Sequence, residues 1–356
     1  MREPILAEFA ALIDEGSFTN GVQVREFEAQ FARYCGTTHA VGVASGLDAL
    51  RLALLAVGVG PGDEVIVPAN TFIATLEAVT QAGARPVLAD VGEEDLNLDV
   101  TAAERAISSR TRCILPVHLY GQMADMVATR ALAASNGLLI IEDACQAHGA
   151  ERDGIRAGSA GNAAAFSFYP GKNLGAFGDA GALTTESEEL AASVTALREH
   201  GQRAKYQHAV EGYTARLDTM QAIVLKHKLP LLDGWNTERR LAAAFYIERL
   251  REVGDLQLPA VVTGSDPVWH LFVLKTREPE ALRAHLASRG ISTGRHYPQP
   301  THLTPAYEWL GYKQGDFPVT EALAREALSL PLFPGITEAQ LEATVAGIAA
   351  YFEYAD

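Results

Sequence analysis

The clearest shortage in this 356-residue chain is of positive charge. Its 29 lysines and arginines stand against 44 aspartates and glutamates, which gives a net charge of −15. A protein that binds DNA or RNA needs a basic surface to neutralise phosphates, so this composition argues against a nucleic-acid partner. The net charge says nothing about a single pocket, because an acidic protein can still hold an anion in a locally neutral or positive site.

Cysteines and long apolar stretches are also scarce. The three cysteines, Cys35, Cys113 and Cys145, lie far apart and show neither a disulfide framework nor zinc-site spacing. We therefore expect buried thiols in a reducing compartment and no bound metal. The sequence contains no run of about 18 apolar residues, so it gives no indication of a membrane span. Residues 1–14 lack the basic and apolar regions of a signal peptide, so we expect a cytoplasmic protein.

Strand-like and helical patterns alternate between residues 39 and 185. The strand-like runs are mostly continuously apolar, as is typical of strands covered on both faces, and alternation with helices indicates a mostly parallel sheet. Seven strands in one sheet predict a large doubly wound α/β domain. The predicted strands are 39–44, 64–68, 85–90, 112–119, 138–143, 163–168 and 181–185, with helices that include 47–57, 73–82 and 126–136.

The remainder of the chain has a different pattern. We predict a large domain over residues 1–235, with helices at its N-terminus, and a smaller α+β domain over 236–356. The elements predicted beyond residue 215 are a helical region 216–252 interrupted at Pro230, a strand 268–275, a helix 279–289, a loop 295–306 and helices 320–328 and 337–354.

Ligands of open α/β sheets bind at the carboxyl ends of the strands, so the residues that follow each strand are the candidates for chemistry. After the first strand, Ser45, Gly46 and Leu47 begin a helix, which is either a phosphate site or only a helix N-cap. After the second strand comes Phe72, which could stack on a flat ring or pack in the core.

Two later strands end beside charged residues. Asp143 ends a buried strand and needs a cationic partner or a proton. A pyridinium nitrogen would serve, although an N-cap or a metal ligand are alternatives. Lys172 follows the sixth strand in a loop bounded by Gly171 and Pro170. It is either a surface lysine or a nucleophile that forms a Schiff base with a carbonyl. Lysine, carboxylate, phosphate cup and aromatic ring together are what pyridoxal 5′-phosphate requires.

Longer motifs surround these residues and extend over nearly the whole chain. They are GPGDEVIVP at 60–68, PVHLYGQ at 116–122, EDA at 142–144, SFYPGKN at 167–173, RLDTMQA at 216–222 and HYP at 296–298. On these motifs the chain resembles the nucleotide-sugar aminotransferases of the DegT group. These are pyridoxal-phosphate (PLP) enzymes of fold type I, the aspartate aminotransferase fold.

The resemblance implies a role for each candidate residue. It implies that Lys172 is the Schiff-base lysine and that Asp143 pairs with the pyridinium nitrogen. Gln146 corresponds to the neighbour of the cofactor's 3-hydroxyl group, and Phe72 to the ring that stacks on the cofactor. The phosphate cup implied by the family comprises Ser45, Ser167 and the backbone amides of Gly46 and Leu47.

The resemblance also implies a homodimer with shared active sites. In the family, the segment around 213–218 comes from the partner subunit and completes the phosphate site. Many members have asparagine where this chain has Thr214, which cannot donate an amide hydrogen. We expect this contact to be made by the hydroxyl group or through water.

The family reaction transfers an amino group from an amino acid, which the resemblance suggests is glutamate, to a keto-sugar nucleotide. Leu47, where many members have threonine, and the loop 168–172 favour C3 of a thymidine-diphosphate (dTDP) 3-keto-6-deoxyhexose. The alternatives are C4 amination of a 4-keto nucleotide sugar, a PLP enzyme of amino-acid metabolism, and a catalytically silent regulatory member. Relatives that dehydrate their substrate carry histidine at the lysine position, so Lys172 argues against dehydration.

Substrate residues are predicted in two segments. His296, Tyr297 and His302 lie in the proline-rich loop and could reach the site, while Arg203 and Lys205, with the adjacent Tyr206, could face the diphosphate. Ordinary loop packing or surface charge explains these residues equally well. We expect Tyr169 and His118 to be structural or to support the site indirectly.

Overall fold

A seven-stranded sheet forms the centre of the protein, which is described here by a computed structural model over residues 1–353. Its strands are β1 (His39–Val43), β2 (Glu64–Pro68), β3 (Arg85–Ala89), β4 (Thr111–Ile114), β5 (Leu139–Asp143), β6 (Ala163–Ser167) and β7 (Gly181–Thr185). The spatial order is β1-β7-β6-β5-β4-β2-β3. Strand β7 pairs antiparallel with β1 and β6, and the other pairs are parallel. This confirms the predicted α/β fold with a mostly parallel sheet.

Helices cover both faces of the sheet, which explains why its strands lack polar alternation. In β2, Val65 and Val67 pack into one apolar cluster, and Ile66 packs into the cluster on the opposite face. The helices of this part are α1 (Arg2–Glu15), α2 (Val22–Cys35), α3 (Gly46–Ala56), α4 (Ile73–Gln81), α5 (Val100–Arg105), α6 (Met126–Asn136), α7 (Glu188–Arg198) and α8 (Thr219–Lys228).

A third apolar cluster holds the C-terminal part together and draws on residues from Ala242 to Phe352. Its elements are α9 (Leu232–Arg249), β8 (Phe272–Lys275), α10 (Pro279–Ser288), α11 (Pro318–Glu326), β9 (Ala327–Leu330) and α12 (Glu338–Glu353), with β8 and β9 paired antiparallel. The division at residue 235 stays a prediction.

Several predicted bounds were wrong. The strand expected over 112–119 ends at Ile114, because the chain continues through Pro116, which has no N–H for a ladder. The chain then forms a 3₁₀ turn over Leu119–Gly121. The helix expected over 320–328 ends at Glu326, and the apolar residues after it form strand β9. A short apolar run fits either structure, and here its pairing with β8 decided.

Two other elements are shorter than expected. The strand predicted to begin at residue 268 begins at Phe272, after Trp269 takes a left-handed backbone conformation with φ 47°. The helical region predicted from 216 starts at Thr219. The interruption predicted at Pro230 is confirmed, because a 3₁₀ turn over Leu229–Leu231 divides the region there. Residue 354, the predicted end of the last helix, lies outside the described residues.

Between residues 1 and 353, none of the helices combines the length and apolar character that crossing a membrane requires. Over the same residues, no cluster of three or more His, Cys, Asp or Glu side chains is arranged to hold a metal ion.

Candidate active site

Two adjacent carboxylates end strand β5 and point to opposite faces of the sheet. Glu142 is fully buried and accepts hydrogen bonds from three backbone amides, those of Gly158, Ala160 and Gly161. It also lies 2.9 Å from Nε2 of His118. Because Nδ1 of His118 accepts from a backbone amide, Nε2 carries the hydrogen and donates it to Glu142. Burial disfavours the charge, but these donors outweigh it and lower the pKa of Glu142.

Glu142 should therefore make the protein sensitive to acid. Its folded pKa lies below the unfolded value, so its stabilising contribution is complete above about pH 4.5 and is lost as the pH falls through the folded pKa. We expect Glu142→Gln to lower the free energy of unfolding at pH 7 by about 1–3 kcal/mol, because the buried donors lose a charged acceptor. The difference from wild type should shrink on acidification, as measured by urea unfolding from pH 7 to 3.

The exposed Glu93, which lies outside the helices, provides the control, since Glu93→Gln should leave the unfolding curve unchanged at each pH. A Glu142→Gln protein that is as stable as wild type at pH 7 would contradict the structural role of this carboxylate.

Asp143, the second carboxylate, is oriented by two donors. Its Oδ2 atom accepts from the hydroxyl of Thr75 at 2.8 Å, and its Oδ1 atom accepts from the amide of Cys145 at 3.2 Å. Thr75 has given its single hydrogen to the carboxylate, so in the 2.6 Å contact between Thr71 and Thr75 the donor is Thr71. The relay ties Asp143 to the segment that carries Phe72, the next residue after Thr71.

Lys172 lies in the loop after β6, where its amide bonds the carbonyl of Tyr169. Among residues 1–353, no hydrogen bond or ion pair involves its Nζ atom. Burial lowers the pKa of Lys172, and the nearby Cys145 and Asp143 oppose this shift only in part. An amine with a lowered pKa is more readily deprotonated at neutral pH, which is what a nucleophile and a general base require.

The start of α3 approaches the end of β6 very closely. Ser45 is the N-cap residue, and its Oγ atom accepts from the amide of Asp48 at 3.0 Å. A Cβ atom at Gly46 would lie 2.7 Å from both the Cys145 sulfur and the Ser167 Cβ, so only glycine fits. Amides at the start of a helix, with the Ser167 hydroxyl beside them, form a cradle of the kind that binds phosphate.

An aromatic pair and an amide side chain form another part of the site. The ring of Phe72 is half exposed and lies 5.6 Å from the ring of Tyr297, so Phe72 is not a core residue. Gln146 accepts from the amide of Tyr120 at 2.7 Å and donates to the hydroxyl of Tyr297 at 3.1 Å. His296 faces Ser329 at 2.8 Å, and burial followed by the charge of Lys172 lowers the pKa of His296.

Three of the predicted residues lie on the surface of the protein. Arg203 and Lys205 are on an exposed hairpin, where the Lys205 ammonium lies over the ring of Tyr206. Thr214 is exposed, and its hydroxyl lies 3.1 Å from Nε2 of His200.

The remaining residues singled out in the sequence have varied positions. His302, which the sequence placed in the loop near the site, is buried and lies 3.2 Å from Glu321. The side chain of Leu47 packs partly against the core, which leaves its amide as the group available at the start of α3. Tyr169 is exposed.

Two residues of this region escaped the sequence reasoning. Thr75 lies one helical turn after Phe72, a spacing that could have indicated a shared face. Tyr120 lies in the motif at 116–122, but no local pattern connects it with Gln146 or with the loop at 296.

The arrangement fits PLP. The glycine-lined cradle matches a phosphate, the half-exposed ring of Phe72 matches a flat heterocycle, and the oriented Asp143 carboxylate matches a ring nitrogen that carries a proton. Lys172 supplies an amine without a hydrogen-bond partner among the described residues. The fold and the site thus define a PLP-dependent aminotransferase of the α/β type.

The family is narrower than this class. Residues 1–349 match the DegT/DnrJ/EryC1/StrS aminotransferase family, and the chain belongs to this family.

Named relatives align along almost the full chain. The chain is 48% identical over 350 residues to dTDP-3-amino-3,4,6-trideoxy-alpha-D-glucose transaminase from Streptomyces venezuelae. This alignment covers 98% of this chain and 92% of the relative. It is 45% identical over 342 residues to UDP-N-acetyl-3-dehydro-alpha-D-glucosamine 3-aminotransferase from Acidithiobacillus ferrooxidans, which covers 96% and 92% of the two proteins.

A solved structure shows the same fold. The crystal structure of DesV from S. venezuelae, in complex with a ketimine intermediate, matches with a TM-score of 0.97 and 48% identity, over 99% of this chain and 95% of DesV.

Proposed function

We propose that this protein is a cytoplasmic enzyme that transfers an amino group from glutamate to C3 of a dTDP-linked 3-keto-6-deoxyhexose. The main support is the 48% identity, over 98% of the chain, to a transaminase whose name specifies a dTDP-3-amino sugar. A UDP-linked 3-keto sugar is the second candidate, because a 45% identical relative is named for one. Both names specify position 3, which supports C3 over C4.

We propose that Lys172 and Asp143 carry the chemistry. Bound PLP supplies an electron sink for the electron pair left when a proton leaves the carbon that bears nitrogen. Lys172 Nζ removes and returns this proton, since its lowered pKa favours the free amine over the ammonium form. Asp143, held by Thr75 and Cys145, keeps a proton on the ring nitrogen.

The remaining cofactor roles follow the geometry. We assign the phosphate to the cradle of Ser45, Gly46, Leu47 and Ser167, where amides and hydroxyls offset its charge without a metal. Phe72 covers one face of the ring, and Gln146 lies beside the 3-hydroxyl group. His296 and Tyr297 are assigned to the sugar, because their loop meets Gln146 and Phe72.

We further propose a homodimer in which each subunit completes the other's site. Thr214, Arg203 and Lys205 are exposed, which suits a contribution to the partner's phosphate and diphosphate sites. Exposed apolar side chains, among them Phe18, Val210 and Met220, provide surface for such an interface. A fully active monomer in sedimentation equilibrium would contradict this arrangement.

The large and small domains proposed at 1–235 and 236–356 both contribute to this site. Lys172 and Asp143 belong to the large domain, whereas His296 and Tyr297 belong to the small one. Sites between domains are common for small-molecule ligands.

The proposed function is tested by incubating the holoenzyme with glutamate and a panel of sugars. The panel contains 3-keto and 4-keto sugars linked to dTDP or UDP, and NMR identifies the aminated carbon. Amination of the dTDP-linked 3-keto sugar is expected. Amination of the 4-keto sugars alone would contradict the C3 assignment, and a protein that binds PLP but aminates none of them would support the silent regulatory alternative.

Gly46→Ala should weaken PLP binding. The added methyl group would lie 2.7 Å from the Ser167 Cβ and the Cys145 sulfur, so α3 must move away from β6 and the cradle must open. We expect the dissociation constant of PLP to rise by about tenfold or more, which corresponds to about 1.4 kcal/mol. Titration of the apoenzyme with PLP, followed by absorbance, measures this constant.

Gly234→Ala is the matched control. Gly234 lies within α9, and an added Cβ there would meet nothing within 4 Å, so affinity should stay the same while stability rises slightly. Unchanged PLP affinity in Gly46→Ala would contradict the placement of the phosphate at this cradle.

A further inference from the structure

The 3₁₀ turn Leu119–Gly121 lies between the proposed cofactor site and the loop proposed to hold the sugar. At its centre, Tyr120 is nearly buried and has φ 59° and ψ 4°, in the left-handed region that large side chains rarely adopt. Such a conformation persists only where the surroundings determine it strongly. The contacts of Tyr120 therefore indicate the structural role of this turn.

Tyr120 belongs to a closed ring of contacts. Its amide donates to Oε1 of Gln146 at 2.7 Å, and Nε2 of Gln146 donates to the hydroxyl of Tyr297 at 3.1 Å. Tyr297 is bonded covalently to His296, whose carbonyl accepts from the hydroxyl of Tyr120. The ring thus connects the end of β5 with the two residues assigned to the sugar.

The turn is held from the opposite side as well. The carbonyl of Gly121 accepts from the amide of Val268 at 2.9 Å, and the carbonyl of Tyr120 accepts from the amide of Leu271 at 3.3 Å. A Cβ atom at Gly121 would lie 2.8 Å from the amide nitrogen of His270. With the turn packed this closely, the Tyr120 side chain has little freedom to move away from His296.

The direction of the tyrosine hydrogen bond is settled by chemistry. Burial, followed by the neighbouring Tyr297, raises the pKa of Tyr120 above its ordinary value, so the phenol keeps its hydrogen at physiological pH. A backbone carbonyl can only accept, and the tyrosine therefore donates. Removing this hydroxyl takes away the hydrogen bond to the His296 carbonyl. The hydrogen bond from the backbone amide of Tyr120 to the side chain of Gln146 stays in place.

We propose that Tyr120 is a positioning residue for the keto-sugar acceptor, which acts by fixing His296 and Tyr297 relative to Gln146. The inference rests on the proposed function, which assigns those two residues to the sugar. Tyr120 makes no hydrogen bond to Lys172 or Asp143 in the described part of the chain. The amino donor depends on those two residues, so the two halves of the reaction should respond differently to loss of the hydroxyl.

The test compares Tyr120→Phe with Tyr246→Phe in the holoenzyme. Tyr246 is a matched control, because its buried hydroxyl also donates to a backbone carbonyl, that of Pro331 at 2.9 Å, within the C-terminal apolar cluster. The glutamate half-reaction is followed by the change in cofactor absorbance. The acceptor half-reaction is followed by the return of the original absorbance when the keto sugar is added. Hydrogen exchange is measured in peptides that cover residues 295–306.

For Tyr120→Phe we expect the acceptor KM to rise by about 3- to 10-fold, the range of one hydrogen bond, and the glutamate half-reaction to stay within about twofold. Exchange over 295–306 should become faster. Tyr246→Phe should lower the melting temperature and change neither half-reaction nor this exchange. Equal losses in both half-reactions of Tyr120→Phe, or an unchanged acceptor KM, would overturn the proposal.

Hydrogen exchange separates this inference from the proposed function. If exchange over 295–306 is the same in wild type and Tyr120→Phe, the positioning role is wrong, whichever sugar is used. If exchange becomes faster while the wild type aminates no keto sugar, the proposed function fails and the assignment to a keto-sugar acceptor fails with it, although Tyr120 still orders the loop.

Discussion

Replacing Lys172 with alanine is expected to abolish transamination, with a fall in kcat/KM of more than about 10⁴-fold. The variant loses the amine that we propose both attaches the cofactor and moves the proton, and among residues 1–353 no second lysine lies in the loop after β6. The visible absorbance of the purified holoenzyme should be lost as well. Steady-state kinetics and absorbance spectra measure the two effects.

The exposed Lys313 serves as the control, because Lys313→Ala removes a lysine from the surface and should leave both activity and spectrum unchanged. A Lys172→Ala protein that keeps the visible band, or a wild type that remains colourless with added PLP, would overturn the assignment of this lysine.

Replacing Asp143 with asparagine is expected to lower kcat by about 10²- to 10⁴-fold. Asparagine nearly preserves the shape of aspartate and can still accept from Thr75, but it cannot balance a positive charge on the cofactor ring nitrogen. The rate of the glutamate half-reaction should fall with kcat, because both need the protonated ring. The ¹⁵N chemical shift of the ring nitrogen in labelled PLP reports its protonation directly.

Asp90 is the matched control for this experiment. It also follows the carboxyl end of a strand, β3, but it accepts hydrogen bonds from the amides of Val319 and Thr320 at 3.0 Å. Asp90→Asn should reduce stability and leave the ring-nitrogen shift unchanged. A protonated ring nitrogen in Asp143→Asn, with kcat near that of wild type, would refute the role of Asp143.

The two carboxylates at the end of β5 show how adjacent residues acquire different functions. Glu142 accepts hydrogen bonds from His118 and from backbone amides of the loop 158–161, and these bonds hold the loop in place. Asp143 points to the opposite face, towards Thr75 and the environment of Lys172. The alternation of side chains along a strand therefore separates a structural charge from one proposed to be catalytic.

The positions of the seven strands were predictable because each is a short apolar run. Strands covered by helices on both faces must be apolar throughout, and this local property can be read without knowing the neighbours. The bounds of β2 were predicted to the residue. The errors fell where an apolar run could satisfy two structures, as at Ala327–Leu330, or where proline ended a strand, as after Ile114.

The candidate site was predictable to a similar extent. Once the strands are known, the rule that ligands bind at strand ends points to the Ser45 segment, Phe72, Asp143 and Lys172, and the family resemblance added Gln146 and Ser167. The interactions that orient these residues were not predictable. The hydrogen bond from Thr75 to Asp143 joins residues 68 positions apart in sequence, and the bond from Gln146 to Tyr297 joins residues 151 positions apart.

The sequence by itself determined the sheet, the strand-end residues and the class of chemistry, because apolar patterning and residue type act locally. Only the tertiary structure decided that α3 approaches β6 closely enough to require Gly46, and that Tyr120 connects Gln146 with His296. It also decided that Arg203, Lys205 and Thr214 are exposed on the surface of their own chain. These features depend on how segments distant in sequence pack together, and the periodicity of the sequence indicates only local secondary structure.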